Sequence, residues 1–172
     1  MAPGLLPPRH RLAGRRAVRE KGETAGVIAP PPIIVLALLL SGIELDALWP
    51  APFLEETVQY VLGALLIVPA VALVVWAIVL FRRQKTLVEP WKPTTALVLA
   101  GAYRHTRNPM YLAMVITFAG LGFAIDTLWL FVLLPVLVAV LHHGVIRREE
   151  RYLEGLFGDD YRDYCAKVRR WI

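Results

Sequence analysis

Long apolar runs separated by short polar breaks dominate this chain. Four of them have the length and near absence of charge that a bilayer crossing needs: Ile33–Trp49, Val58–Phe81, Pro109–Ile125 and Leu128–Ile146. A helix rises about 1.5 Å per residue, so roughly 20 residues cover the hydrocarbon core. The pattern predicts an all-α polytopic membrane protein built on a bundle of four transmembrane helices. Pro69 and Pro135 fall near mid-span of the second and fourth runs. Each removes a backbone donor and predicts a kink whose freed carbonyls need neighbouring helices. The third and fourth runs are joined only by Asp126 and Thr127, which predicts a tight antiparallel hairpin. Gly120–Leu121–Gly122 on the third run lets a neighbouring backbone approach closely.

The pattern changes at both ends of this region. Met1–Gly26 mixes Arg, Pro and Gly without apolar periodicity and reads as a disordered basic arm, leaving 27–172 as the membrane domain. Pro30–Pro32 then precedes the first run, which no secretory cleavage pattern follows, so it is expected to persist as a helix. Beyond Ile146, Tyr152, Leu153, Leu156 and Phe157 recur at helical spacing, and Gly158 stops that helix. Asp159 or Asp160 is expected to cap a second helix with Tyr161, Tyr164, Cys165 and Val168 on one face. The tail 147–172 is therefore expected to be folded, amphipathic and laid back over the bundle.

Composition agrees: of 172 residues 57% are apolar and the mean hydropathy is +0.54, too apolar for an ordinary soluble domain. The net charge of +5 would suit nucleic acid in a soluble protein, but its distribution says otherwise. Lys and Arg occur only before residue 22, between Arg82 and Lys92, at Arg104 and Arg107, and from Arg147 onward. The connections around Pro50–Glu56 and Asp126–Thr127 have none. That asymmetry predicts both termini on the cytoplasmic side of a cell membrane, the inner membrane if the source is bacterial. Trp49 and Pro50 mark the opposite interface, which the carboxylates of Glu44 and Asp46 can reach. Cys165 is the only cysteine and cannot form an internal disulfide.

Candidate chemistry gathers at the basic side. Gly101–Tyr111 reads GAYRHTRNPMY, a polar hinge at the end of a connection of 27 residues, Arg82 to Asn108. Asn108 before Pro109 is a helix start whose side chain can cap orphan amides. A helix N-terminus beside Arg104 and Arg107 offers a place for an anion. The fourth run leaves the membrane into His142, His143, Arg147, Arg148, Glu149 and Glu150. Hinge and carboxylate pair flank the hairpin formed by the third and fourth runs, so both emerge on one side. Alone, such a carboxylate pair is most often a solvated ion-pair face.

The runs LVLAGAYRHTRNPMY (Leu97–Tyr111) and EERYLEGLFGDDYRDY (Glu149–Tyr164) together resemble the signature of the isoprenylcysteine carboxyl methyltransferase and phospholipid N-methyltransferase superfamily. The resemblance covers about residues 82–172 and implies an integral membrane enzyme that uses S-adenosylmethionine on a lipid-like or prenyl-like amphiphile. It implies no metal and no nucleic acid. By the same resemblance the cofactor meets the backbone at Leu97 and Val98, and Tyr103, His105, Asn108, Tyr111, Glu149 and Glu150. The residues expected to carry catalysis are Glu149, Arg107 and Arg147, with Arg148 an alternative to Arg147 for binding substrate. In this picture Glu149 binds the cofactor ammonium, and Arg107 with the helix start binds its carboxylate. Asn108 stands where the eukaryotic prenylcysteine enzymes carry His, which removes a titratable group. Gly120–Leu121–Gly122 is similar to a cofactor motif of the phospholipid enzymes. Gly120, however, lies 11 residues past Pro109, about 16 Å along a helix, which favours packing.

Two other readings fit the same scaffold. A membrane reductase with a nicotinamide cofactor would want more cations at the pocket than the Glu149–Glu150 pair provides. A non-enzymatic membrane protein is the other, because fold does not fix function. The acceptor atom, nitrogen or carboxylate oxygen, stays open, as does the oligomeric state.

Overall fold

The structure is a computed structural model that describes residues 5–6, 25–83 and 97–172. Four apolar helices form its body: α1 (Pro31–Leu48), α2 (Glu56–Arg83), α3 (Pro109–Ala124) and α4 (Leu128–Val140). One π-helical turn, Leu141–Ile146, carries α4 directly into α5 (Arg147–Phe157), and Gly158 separates α5 from α6 (Asp159–Lys167). Apart from a two-residue strand pair, β1 (Leu5–Leu6) antiparallel to β2 (Leu97–Val98), the described residues are helical or connecting. Of the expected basic arm, 7–24 and 1–4 lie outside the described residues, as does 84–96 of the long connection.

Among the described residues three helices are long and apolar enough to cross a membrane: Pro31–Leu48, Glu56–Leu80 and the continuous Leu128–Phe157. The helix Pro109–Ala124 is apolar but has 16 residues, about 24 Å of rise. Large apolar side chains such as Leu36, Leu65, Val68, Val75 and Val132 point outward. That is the surface a bilayer covers and water does not. α2 and α4 continue through Pro69 and Pro135.

Small residues fix how closely α2 and α3 approach. A Cβ on Gly120 would stand 2.7 Å from Ile67 Cγ1 and 3.2 Å from the Gly63 carbonyl oxygen. One on Gly63 would meet the Ala124 Cβ at 2.7 Å. The glycine step thus serves helix packing, as expected. The main core joins Ile34, Tyr111, Phe118, Leu130, Leu137, Leu141, Val145 and Ile146.

At one end of the bundle the connections are laced together. Asp46 Oδ1 accepts the Thr127 hydroxyl at 2.7 Å and the Ala51 amide at 3.2 Å. Asp126, at φ +51° in the α3–α4 turn, accepts the Phe53 and Leu54 amides, each at 3.0 Å. A short polar side chain tolerates that left-handed backbone. The Trp129 indole donates to the Trp49 carbonyl at 2.7 Å. The described lysines and arginines lie toward the other end.

A second, smaller core forms there. Leu97, Phe157, Tyr161 and Tyr164 are buried together, with Leu99, Leu153, Leu156, Cys165 and Val168 against them. One helix start differs from expectation. Gly158, at φ +57°, occupies the cap position of α6 and no side chain caps it, while Asp159 begins the helix and pairs with Arg162.

Candidate functional site

The hinge enters α3 through a short 3-10 turn, Gly101–Arg104. Gly101 has φ +60°, and a Cβ there would sit 3.1 Å from the Trp76 ring and 3.3 Å from Leu80. Both constraints select glycine and press the hinge against the end of α2. Asn108 takes the cap position with Pro109 first in the helix, but its side chain does not cap. Its Nδ2 donates instead to the Arg170 carbonyl at 2.9 Å, and its own amide donates to Thr106 Oγ1 at 3.2 Å. The bond to a tail carbonyl orients the Asn108 amide toward the tail, and its oxygen, the acceptor that capping would use, does not cap α3.

One turn into α3, the buried Tyr111 donates its hydroxyl to Glu149 Oε2 at 2.9 Å. Among the described residues this is the one hydrogen bond made to Glu149, which leaves its other oxygen uncommitted. Tyr103 stands close by. Burial first, and then the neighbouring Glu149 and Tyr164, push its phenol above the ordinary tyrosine range, so it stays protonated. Tyr164 in turn donates to the Tyr103 carbonyl at 2.7 Å. A half-buried carboxylate beside two protonated phenols is a fitting host for a cationic or hydrogen-bond-donating ligand.

Glu150, one residue on, is already satisfied. Arg170 meets it through two parallel bonds, Nε to Oε1 at 2.9 Å and Nη2 to Oε2 at 2.7 Å. Arg107 Nη2 adds a contact at 3.4 Å. Arg107 also reaches the Cys165 sulfur through Nη1, and its Nε is buried without a partner among the described residues. The hinge backbone is tied to the same tail segment. The Arg107 amide donates to the Arg169 carbonyl at 2.9 Å, and Thr106 Oγ1 to that of Arg170 at 3.3 Å.

The structure therefore gathers Tyr103, Arg107, Asn108, Tyr111, Glu149 and Glu150 where hinge, α5 and tail meet. Leu97 and Val98 are buried beside them in β2, with Leu97 in the tail core. Two expected residues stand apart. His105 is exposed at the end of the hinge turn. Arg147 is exposed on α5, 3.5 Å from His143 Nδ1. Arg148, the alternative, is exposed and donates to the Gly26 carbonyl at 2.8 Å. The π-helical turn leads directly into α5. It presents the Gly144 carbonyl to the Ile28 amide at 3.2 Å, and a Cβ on Gly144 would stand 2.4 Å from Ile28 Cδ1.

Sequence reasoning missed Arg170 and Thr106. Their contacts span 20 and 64 residues of sequence and follow no periodicity. The one available signal was a tail arginine facing a carboxylate pair.

Comparison with known proteins bears on the part of this arrangement up to residue 160. The sequence family described as phospholipid methyltransferase matches residues 58–160, more than half of the chain. A Haemophilus influenzae protein described as uncharacterized is 52% identical over 44 residues, 26% of this chain and 67% of that protein. The family match takes in α2, the hinge, α3 to α5 and both glutamates.

Proposed function

The chain belongs to the phospholipid methyltransferase family, and from that premise we propose that the cluster around Glu149 is the S-adenosylmethionine site. Membrane-associated, S-adenosylmethionine-dependent methyl transfer to a lipid-like acceptor is the activity that goes with this membership. Bound there, the cofactor supplies a methyl group on a positively charged sulfur, already activated for transfer. What remains for the protein is to bind, orient and keep water out.

The observation that carries this reading is the inequality of the two glutamates. Glu150 is occupied by Arg170 and Arg107, whereas Glu149 accepts Tyr111 and, among the described residues, keeps one oxygen uncommitted. Glu149 then takes the cofactor ammonium by a charge-assisted hydrogen bond. Tyr111 fixes the carboxylate, and Tyr103, Asn108 and the backbone of Leu97–Val98 line the same side. Arg107 contributes by holding Glu150 and the tail. The exposed Arg147 and His105 stand where an acceptor headgroup approaches from the membrane surface.

In the same proposal all four apolar helices cross the bilayer, α3 included, and both termini face the cytoplasm. The positive charge at the site end supports that orientation. The lipid-like acceptor then reaches the site from the bilayer, since the outward faces of α1, α2 and α4 are apolar.

The test is reconstitution of the full chain in phospholipid vesicles with methyl-labelled S-adenosylmethionine. Label entering the lipid extract is the expected result. Base treatment then separates the two acceptor classes, because a methyl ester releases labelled methanol and an N-methyl group does not. Protein that stays folded yet transfers no label to any amphiphile extract would sink the proposal.

A further inference from the structure

The last residues of the chain lie beyond the family match, which ends at residue 160, yet they make most of the polar contacts that close the candidate site. Arg169 and Arg170 offer their carbonyls to Arg107, Thr106 and Asn108, three consecutive hinge residues. The Arg170 side chain grips Glu150 with both arms of its guanidinium. Thr106 and Arg169 also pair as a short parallel bridge, and Trp171 packs against the main core. Residues 169–171 form a strap that joins the start of α3 to the start of α5. Those two points carry Tyr111 and Glu149.

We propose that Arg170 is a positioning residue for methyl transfer: it locks the strap by its fork on Glu150 and so holds Glu149 in register with Tyr111. The proposal rests on the assignment of Glu149 to the cofactor. Arg170 acts through Glu150 and the hinge and touches neither cofactor nor acceptor. A planar two-pronged contact suits this task, since it fixes orientation as well as distance, which a lysine ammonium cannot do.

Cys165 supplies a readout that does not depend on activity. It is the chain's only cysteine, is half-buried, and meets Arg107 inside the strap's cluster of charges. The experiment follows thiol modification by a maleimide in the full-length protein in nanodiscs, with and without S-adenosylhomocysteine. Affinity for S-adenosylhomocysteine is titrated in parallel, and thermal unfolding is the control. For wild type, slow labelling that the ligand slows further is expected. Arg170→Ala should label about ten-fold faster and bind about ten-fold more weakly, the scale for losing a charge-assisted pair, at a nearly unchanged melting temperature. Arg170→Lys, which keeps the charge without the fork, should fall between, and it carries the test if Arg170→Ala does not fold.

Wild-type labelling and affinity in both variants would overturn the proposal. So would faster labelling with unchanged affinity, because the strap would then open without consequence for the site. A wild type that binds no S-adenosylhomocysteine would fail the cofactor assignment itself and take the proposal with it, a result distinct from equal binding by wild type and variants.

Discussion

The two ends of the bundle use the same polar chemistry to opposite effect. At the Asp46 end, carboxylates accept main-chain amides and one buried hydroxyl, and the bonds tie the end of α1 and the two connections together. At the Glu149 end, among the described residues, one glutamate is held by two arginines while its neighbour has a tyrosine and an oxygen to spare. A buried polar group normally finds its partners inside the protein, since leaving it without them is costly. A staple meets that rule fully. A site meets it only in part, because the ligand brings the remaining partner. The Arg107 Nε, buried without an acceptor among the described residues, belongs to the same end.

Substitutions at each end can break or sharpen this contrast. The largest effect is expected where both ends depend on helix spacing. Gly120→Leu forces side-chain atoms into the 2.7 Å and 3.2 Å approaches to Ile67 and Gly63. It should cost about 3 kcal/mol or more, seen as a lower melting temperature in detergent and poor recovery of folded protein. Asp46→Ala strips partners from the buried Thr127 hydroxyl and the Ala51 amide. A loss of about 2 kcal/mol in stability is expected, with ligand affinity unchanged. If affinity fell with it, the ends would not be separable.

Tyr111→Phe should show the converse. It removes one donor from Glu149 and is expected to weaken S-adenosylhomocysteine binding about three- to ten-fold, measured by titration, with little change in melting temperature. The smallest effect is expected for Arg147→Ala. That side chain is exposed and among the described residues meets only His143, so stability should move by less than about 0.5 kcal/mol and cofactor affinity not at all. A marked loss of affinity would return Arg147 to the cofactor site and undo the division drawn here.

Much of the helical layout was legible because periodicity and charge-free length are local properties. Leu128 through Ile146 was read as one helix, and it is one, although its last turn is widened to a π-helix and it runs on to Phe157. Nothing in Leu141–Ile146 announces that widening. It becomes intelligible only with Ile28 packed against Gly144. In the tail, helical spacing was read for Tyr152, Leu153, Leu156 and Phe157 and for Tyr161, Tyr164, Cys165 and Val168. Leu153, Leu156, Phe157, Tyr161, Tyr164, Cys165 and Val168 all join the second core.

The site was legible as a pair of motifs and illegible as a set of contacts. Adjacent glutamates look alike in sequence, yet α5 sends Glu149 to Tyr111 and Glu150 to Arg170. Asn108 shows the limit of local rules: its position is that of a cap, but a carbonyl 62 residues away takes its side chain. Arg107 was expected to face a cofactor carboxylate, and in the structure it faces Glu150 and Cys165. Such partners are set by how the tail folds back, which no window of neighbouring residues encodes.

The central claim is that Glu149 binds the cofactor and Glu150 does not. It is tested most directly by titrating S-adenosylmethionine and S-adenosylhomocysteine against wild type and Glu149→Gln, with thermal unfolding measured on the same samples. Gln keeps the shape and an acceptor for Tyr111 but loses the charge. The expected result is a ten- to hundred-fold loss of affinity, roughly the worth of a charge-assisted hydrogen bond, at an unchanged melting temperature. Equal affinities at equal stability would contradict the account and remove Glu149 from the site.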